Sequence, residues 1–594
     1  MKKIYHSASV IFLIAVLSAG TAFAQKDTTK LNQSVEVVKA YRPSISNANK
    51  VSLMPVIDDT TRFTPEFKYS IESQPVRTGF SASPITAANV IGNRSKDLGL
   101  GYLKGGAGTL NTLYGEFFLN LPKSDIGTAG IHLRHLSSDG MIKLREGDEV
   151  DAPYSQNDAA IFGTINIGNT VLSTDLSYKR DAVTYYGYPV GLPSNNLLLP
   201  YPPYGLSQAY QKGDLKIALK NSDNAQGNLR FDGGLRLGFA DSKTGQKETS
   251  GGGFGKFSYN FGQVIGLLDA SVDQLSTDNI LIETSSTLAS QQENWVRIAP
   301  SVRLDGDNWN LRGGLNFVNV SRNSDVSSTK LYPDFELNYR PIKGILTLYA
   351  GFKGDLKNNR YSDIAFENYW TVPTHNVRNT DYTYVASGGL KGKISREISY
   401  HLGLKYSQIK NQYFYILNSS DDLSSSTIPS PVIYSNAFDL AYDNGSLFNL
   451  STEFSYVSGN DLSVVLKGNY YNYSLESLSF APHKPNFDLS ASAGLRIIER
   501  LTGYADFSVL GERKTLVKYW GMSLPGSQGA TPPPQSVPFI IDPTVQVNLG
   551  ANYELTSKFK LFGRVDNLLK QQNELWLGYT SQGLRMIAGA TFSF

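Results

Sequence analysis

The chain of 594 residues has no cysteine, only six histidines and a formal net charge of only +3. Without cysteine there are no disulfides, no thiolate metal sites and no lipid-anchored N-terminal cysteine. The small net charge gives no basic footprint, so nucleic acid is not an expected partner. No apolar run approaches the roughly 20 residues that a transmembrane helix needs, so any membrane span must be built from β-strands.

Recognisable catalytic motifs are also missing, including G-x-S-x-G, a phosphate-binding glycine loop and H-E-x-x-H. His132 and His135 are three residues apart, which on a strand places them on opposite faces and argues against a shared metal. The run Asp305-Gly306-Asp307-Asn308 lacks the spacing and terminal glutamate of a calcium loop and predicts a turn. We therefore predict no enzyme activity, no cofactor and no metal site.

The N-terminus has the three parts of a signal peptide. Lys2 and Lys3 form a charged start, Val10–Leu17 is a short apolar core, and Ala22-Phe23-Ala24 is an A-x-A cleavage site. Residues 1–24 therefore predict export.

The last thirteen residues, 582–594, alternate in polarity with a period of two, which predicts a β-strand. One face carries Leu584, Met586, Ala588, Ala590, Phe592 and Phe594, and the other carries Arg585, Ile587, Gly589, Thr591 and Ser593. Residues 487–497 and 346–355 alternate in the same way. A soluble sandwich also alternates, but many long alternating strands after a signal peptide favour an outer-membrane barrel. We predict an all-β, antiparallel transmembrane barrel over residues 97–594.

Short turns and longer connections follow one another along this region, as the periplasmic turns and outer loops of such barrels do. The short turns that we identify give about 22 strands, with both barrel ends in the periplasm. This number requires residues 99–104 and 113–121 to form the first hairpin, and residues 432–457 to be one strand with an outer extension. Asp443-Asn444-Gly445 is typical of a hairpin turn, so the strand count is least determined there.

Near the C-terminus, residues 562–568 read FGRVDNL and residues 577–579 read LGY, and the terminal aromatic strand follows. This region resembles the C-terminus of TonB-dependent receptors. Residues 101–108 (GYLKGGAG) and 134–140 (RHLSSDG) look like plug-poor, receptor-like barrels of Bacteroidetes-type bacteria. The resemblance covers residues 97–594. It implies an outer-membrane barrel of a Gram-negative cell that acts in transport or ligand binding across that membrane.

One departure from the family concerns residues 25–96, which carry scattered prolines and no plug-like sequence. We predict a periplasmic or lumenal arm without a full plug, so the arm, inward loops or a lid or scaffold partner must block the lumen. Within the arm, Val35-Glu36-Val37-Val38 is similar to a TonB box, the family's strand-adding contact to TonB. An ordinary extended segment would look the same. Phe592 and Phe594 are the predicted C-terminal signal for the barrel-assembly machinery, and outer-membrane lipid is the predicted surrounding.

Several predicted outer loops are rich in aromatic residues, which supply contact area at low entropic cost and suit ligand or partner contacts. These residues are Tyr185, Tyr186, Tyr188, Tyr201, Tyr204, Tyr369, Trp370, Tyr519 and Trp520. The alternatives are loops that pack on themselves to cap the barrel, and belt residues at the membrane interface. Two further functions also stay open: a non-transporting structural or assembly subunit of an outer-membrane complex, and a passive porin-like channel.

Overall fold

The computed structural model describes residues 100–121, 126–145, 147, 149–187, 207–222, 227–281, 288–323, 326–372, 377–420, 437–459, 461–520 and 535–594. All of them belong to one compact unit of the chain, Gln74–Phe594. The predicted signal peptide, the predicted arm with Val35-Glu36-Val37-Val38, and Tyr188, Tyr201 and Tyr204 lie outside the described residues.

The described residues form almost exclusively β-strands. They are β1 (Gly101–Gly108), β2 (Thr112–Asn120), β3 (Gly127–Ser138), β4 (Met141–Lys143), β5 (Glu149–Asp151), β6 (Tyr154–Ile167), β7 (Thr170–Thr184), β8 (Ser207–Asn221), β9 (Leu229–Ser242), β10 (Lys247–Asn260), β11 (Val264–Leu281), β12 (Leu288–Asp305), β13 (Trp309–Arg322), β14 (Val326–Ile342), β15 (Leu346–Lys357), β16 (Thr380–Lys393), β17 (Ile398–Ser420), β18 (Phe438–Ser458), β19 (Leu462–Leu475), β20 (Phe487–Ile498), β21 (Leu501–Leu510), β22 (Arg513–Trp520), β23 (Gln535–Ile541), β24 (Thr544–Glu554), β25 (Phe559–Asp566), β26 (Glu574–Trp576), β27 (Tyr579–Thr580) and β28 (Arg585–Ser593). One short helix, α1 (Tyr361–Glu367), joins them between β15 and β16. Among the described residues, no helix combines the length and the apolar character needed to cross a membrane.

The main sheet closes on itself as an antiparallel barrel. Of its 24 strands in the described residues, β22 and β23 form a side hairpin, and β21 pairs directly with β24, which leaves 22 strands in the wall. β28 pairs with β1, and at the seam the Phe594 N–H donates to the Gly101 carbonyl at 3.1 Å. Closure removes the unpaired edges that lipid cannot hydrate. The predicted 22-stranded barrel is confirmed.

The two faces of each strand differ as the alternation predicts. On β9, Leu235 and Leu237 point outward, with 62% and 56% of their side chains exposed. Between them, Arg236 points into the lumen and donates from Nε to Asp273 on β11 at 2.5 Å. Such an apolar outer face and polar inner face are what a bilayer and a hydrated lumen require. Tyr259, close to the short-turn end of β10, is also exposed, as expected of an interfacial belt.

Asp443-Asn444-Gly445 does not form a hairpin turn, because β18 runs through it without interruption. The pairing with β17 shifts register between Ile409 and Gln412, so Lys410 and Asn411 of β17 form a bulge opposite Asn444. Gly445 has φ +156°, and a Cβ there would lie 2.1 Å from the Ser474 carbonyl oxygen. The Asp-Asn-Gly sequence therefore lies within a strand, opposite a bulge and at a position that needs glycine, and the strand count stays even.

Candidate functional site

The loop between β15 and β16 crosses the outer mouth of the barrel. We call its residues 358–372 the crossing loop. Seven wall strands, β8 to β14, separate β15 from β7, yet the Trp370 Nε1–H donates to the Thr184 carbonyl on β7 at 2.9 Å. The Tyr369 hydroxyl also donates to the Asp181 carboxylate on β7 at 2.6 Å. The loop is therefore fastened to the far side of the mouth.

The short helix α1 in the crossing loop is held by a carboxylate from the wall. Glu248 on β10 accepts hydrogen bonds from the backbone N–H groups of Tyr361 at 2.8 Å and of Ser362 at 3.1 Å. These are among the N–H groups that the first turn of a helix leaves unpaired, and a negative charge there also suits the helix dipole. Glu248 therefore fixes the position of α1 across the mouth.

Aromatic side chains from several outer loops pack together into a core above the lumen, which we call the cap. Its buried members are Tyr185, Ile364, Trp370, Val372, Tyr413, Tyr415, Leu417, Ala437, Phe438, Val517, Ile541, Leu575, Trp576, Leu577 and Tyr579. The Trp370 ring stacks on Tyr579 with centroids 4.0 Å apart, and Tyr186 packs edge-on against Trp370 at 5.6 Å. Such pairs stabilise by about 0.5–1.5 kcal/mol each beyond their burial.

A buried ion pair joins the crossing loop to the loop between β19 and β20. Lys484 Nζ lies 3.2 Å from Glu367 Oε1, and the two side chains are 8% and 12% exposed. The Tyr413 hydroxyl donates to Glu367 Oε2 at 2.6 Å. Burial alone raises the pKa of Glu367, but Lys484 and Tyr413 outweigh burial and hold that pKa below its ordinary value. Glu367 therefore stays charged inside the cap.

His483 connects three outer segments at the centre of the cap. Its Nδ1 lies 2.9 Å from the Tyr415 carbonyl oxygen and 2.9 Å from Thr515 Oγ1. Its ring packs against Phe438 and Trp576 at 5.2 and 5.0 Å. Burial lowers the pKa of His483 to about 3, so the ring is neutral at pH 7.

Three of the predicted outer-loop aromatics meet in the cap, although they come from two loops: Tyr185 and Trp370 are buried in it, and Tyr186 packs against it. Tyr369 is also buried, in a neighbouring cluster with Tyr210 and Tyr361. This burial is the arrangement that the capping alternative requires, and contact with a ligand or partner stays a prediction. Tyr519 and Trp520 end β22 and pair in parallel with the end of β17.

No motif in the sequence points to Glu367, Lys484, His483 or Trp576. Glu367, the adjacent pair His483 and Lys484, and Trp576 come from three separate segments of the chain, and no local spacing relates these segments. Tyr579 stands out only as part of the LGY sequence. The ionic and aromatic contacts of the cap therefore had no signal in the sequence beyond the general abundance of aromatic residues.

The two histidines on β3 contact different residues. His132 Nε2 lies 3.0 Å from Glu116 Oε1, whereas His135 Nδ1 lies 2.8 Å from Asn157 Oδ1. Their partners are separate, and the described residues contain no group of side chains suited to hold a metal ion. Residues 305–309 form the predicted turn, in which the Gly306 N–H donates to the Trp309 carbonyl at 2.8 Å.

The terminal motif forms an ion cluster on the lumenal wall below the cap. Asp566 on β25 accepts from Arg564 Nε at 2.5 Å and from Arg585 Nη2 on β28 at 2.7 Å. The carboxylate therefore connects the last two strands of the barrel. Of the residues that carry the resemblance to TonB-dependent receptors, the FGRVD part of the motif and the terminal strand lie next to the closing seam, whereas Leu577 and Tyr579 of LGY lie in the cap.

The fold is similar to that of solved receptor and transporter structures. The pyoverdine outer membrane receptor FpvA from Pseudomonas aeruginosa has a TM-score of 0.59 at 13% identity, over 83% of this chain and 78% of that chain. The siderophore receptor PiuA from Acinetobacter baumannii has a TM-score of 0.57 at 11% identity, over 83% and 82%. The FrpB iron transporter from Neisseria meningitidis has a TM-score of 0.59 at 11% identity, over 84% and 82%.

The likeness shows the fold. No family model matches the chain, and no curated protein matches its sequence. The similar structures are receptors and a transporter, which agrees with the non-enzymatic prediction at the level of fold.

Proposed function

We propose that this chain is an outer-membrane, receptor-like barrel that binds a ligand at its outer mouth and acts in transport across that membrane. The proposal rests on one observation: a closed 22-stranded wall with an apolar outer face encloses a lumen, and the cap spans the outer mouth of that lumen. A cap fastened by buried hydrogen bonds and an ion pair suits a gated receptor better than a passive pore. The fold shared with siderophore receptors supports the same class.

The proposed location is the outer membrane of a Gram-negative cell, reached by way of the predicted signal peptide. Phe592 and Phe594 continue the outward apolar face at the end of the chain, with 46% and 36% of their side chains exposed. That placement is compatible with their predicted role as the signal for the barrel-assembly machinery, and it places both rings toward lipid.

TonB is the proposed energising partner, through Val35-Glu36-Val37-Val38. A short β-prone run adds itself to the edge of a partner's sheet through backbone hydrogen bonds. Val37→Pro removes one backbone donor and is expected to abolish site-specific crosslinking of the arm to TonB in cells, whereas Val37→Ile should leave it unchanged. Equal crosslinking of both variants would contradict a TonB-box role.

The second candidate is a structural or assembly subunit, and the short arm without plug-like sequence favours it. A scaffold would retain stoichiometric partners, including a lid protein, after purification in mild detergent. Isolation as a lone monomer would count against it. Outer-membrane fractionation and heat-modifiable gel mobility test the location, and a soluble periplasmic pool would overturn the barrel assignment itself.

Single-channel conductance in planar bilayers separates a receptor from a passive pore. The intact chain, a variant without residues 25–96, a variant with residues 359–372 replaced by a glycine-serine linker, and the combined variant are compared. We expect the intact chain to be closed and the combined variant to form a large pore. Large, steady conductance of the intact chain would show a porin-like channel and reject gating.

A further inference from the structure

The barrel wall divides in its outer part, between β14 and β15. The ladder between these strands ends at Asp334 and Lys353, although β14 extends to Val326 and β15 to Lys357. On its other side each strand stays paired up to that end, β14 with β13 and β15 with β16. The residue of β14 above Asp334 is Pro333, which has no N–H with which to continue the ladder. The outer parts of β14 and β15 are therefore separate edges of the wall.

Above this division β15 bends into the lumen. Phe352 and Leu356 have the same parity on the strand, yet Phe352 is 41% exposed toward lipid and Leu356 only 7% exposed. Leu356 packs in a cluster with side chains from the lumenal faces of β12, β13 and β14, namely Trp295, Val318, Val320 and Tyr332. The face that β15 turns toward lipid lower down has therefore folded onto the lumenal face of its neighbours.

The bend continues across the next three strands. On β15 it lies at Gly354, where a Cβ would lie 2.8 Å from the Thr383 carbonyl oxygen on β16. Thr383 itself lies in a bulge relative to both β15 and β17. Lys410 and Asn411 form the bulge in β17, and Gly445 beside it on β18 has φ +156°. Because bulges bend strands, these positions form one line of bending, which we call the hinge line.

The parts of β15–β18 beyond the hinge line carry the crossing loop and much of the cap. We call them the flap, and they comprise residues 355–357, 380–382, 412–420 and 438–444. Their buried cap members are Tyr413, Tyr415, Leu417 and Phe438. The end of β17 also pairs with β22, so the flap is held on that side and its β15 edge is the one next to the division.

Side chains from the wall hold the β15 edge of the flap inward. Arg297 on β12 donates to the Asp355 carboxylate and to the Leu356 carbonyl. Asn316 on β13 donates to the Gly354 carbonyl at 3.4 Å. A segment that is held by a few such bonds belongs to the low-stability end of a fold, from which moving elements are drawn.

We propose that the flap is a hinged gate, which swings outward as a unit about the hinge line when Arg297 and Asn316 release its β15 edge. The movement carries the crossing loop away from β7 and β10 and uncovers the lumen. The proposal rests on the gated function proposed above for the purpose of the movement, whereas the swing itself needs neither ligand nor TonB. A flap that swings in a chain without transport activity would keep the hinge and refute only the proposed function.

Hydrogen exchange without ligand or TonB tests the hinge. The amides of Tyr361 and Ser362 bond to the wall across the mouth, whereas residues 355–357 and 380–382 pair with each other inside the flap. Arg297→Met removes hydrogen bonds made by a charged group and is expected to speed exchange of the Tyr361 and Ser362 amides about tenfold. A swing as a unit leaves exchange within the flap unchanged.

Arg303→Met is the matched control. Arg303 also lies on the lumenal face of β12, but it pairs with Asp305 of its own strand at 3.1 Å, so exchange should not change. Heat-modifiable gel mobility confirms that each variant still forms the barrel. The hinge is overturned if Arg297→Met acts no more strongly than Arg303→Met, or if exchange within the flap speeds up equally, which indicates local unfolding.

A crosslink across the division gives the opposite test, because the natural chain has no cysteine. Lys330 on β14 and Asp381 on β16 face each other there, with Nζ 3.5 Å from Oδ2. Lys330→Cys and Asp381→Cys, bridged by a short bifunctional thiol reagent, should slow exchange at Tyr361 and Ser362, and cleaving the bridge should restore it. Lys330→Cys alone, treated with the same reagent, should show no slowing. Exchange that stays as fast after bridging would also overturn the hinge.

Discussion

The wall and the cap of this barrel are stabilised in different ways. The wall repeats one arrangement, an outward apolar residue followed by an inward polar one, and each strand pairs mostly with its sequence neighbour. The cap has no such repeating pattern, and its contacts join residues that are far apart in the chain. The Tyr185 hydroxyl donates to the Thr371 carbonyl across 186 positions, and Ser138 donates to Gln582 across 444. We therefore expect the wall to tolerate a substitution that keeps the polarity of its face. In the cap, by contrast, each contact depends on one particular side chain, so single substitutions should weaken it.

The largest expected effect in the cap is the loss of the Lys484 charge. Lys484→Met leaves the Glu367 carboxylate buried without its cation, which is expected to destabilise the closed cap by about 3–5 kcal/mol. Hydrogen exchange of the crossing-loop amides measures this as faster opening. Glu367→Gln combined with Lys484→Met should recover most of the loss, and a double variant as unstable as Lys484→Met would show that the charge is not the cause.

A matched pair of neighbours on β7 tests the wall. Leu176 faces outward and is 44% exposed, whereas the next residue, Ser177, faces the lumen opposite Asp214. Leu176→Arg places a charge in lipid near mid-strand and is expected to cost about 2–4 kcal/mol. Ser177→Arg should change stability by less than about 0.5 kcal/mol. Reversible urea unfolding in lipid vesicles measures both, and similar losses would contradict the assignment of the faces.

The cap should weaken in mild acid because His483 is buried in its neutral form. The ordinary pKa of 6.5 falls to about 3 in the folded protein, so between these values the open state binds more protons. The stability of the closed cap is therefore complete above pH 6.5 and falls by about 1.4 kcal/mol per pH unit as the pH drops toward 3. Protease accessibility of the outer loops between pH 7 and 5 reports the change.

Within that range Glu367, whose pKa lies below its ordinary value, remains ionised and does not contribute. His483→Asn removes the titration, and asparagine tolerates the φ of +59° at this position. The variant is expected to lose the pH dependence. If the dependence persists in His483→Asn, another group is responsible.

A single hydroxyl gives the smallest expected effect. The Tyr186 hydroxyl donates to the Thr580 carbonyl at 2.8 Å, and Tyr186→Phe removes that bond while keeping the ring. The expected loss is about 1 kcal/mol of cap stability, with no change in urea unfolding of the wall. Tyr178→Phe, which removes an exposed hydroxyl bond to Gln211 on the wall, is the control and should be close to neutral.

The wall was largely predictable from the sequence, because polarity alternates with a period of two. Within each strand, this alternation shows which side chains face lipid and which face the lumen. The outward position of Met586 and the inward position of Arg585 follow from parity alone. The Asp443-Asn444-Gly445 stretch shows the limit, because a sequence typical of a turn also fits within a strand opposite a bulge, and only the pairing with β17 distinguishes the two. The order in which the strands join, by contrast, follows from short connections.

By itself, the sequence determined the strands, their lipid and lumen faces, their even number and the closure that lipid demands. Only the tertiary structure decided that Tyr369 and Trp370 turn inward to reach β7, and that Lys484 neutralises Glu367. The physical reason is the range of the interactions. Alternation is imposed locally by the backbone and the two solvents, whereas the cap depends on where loops from distant strands meet.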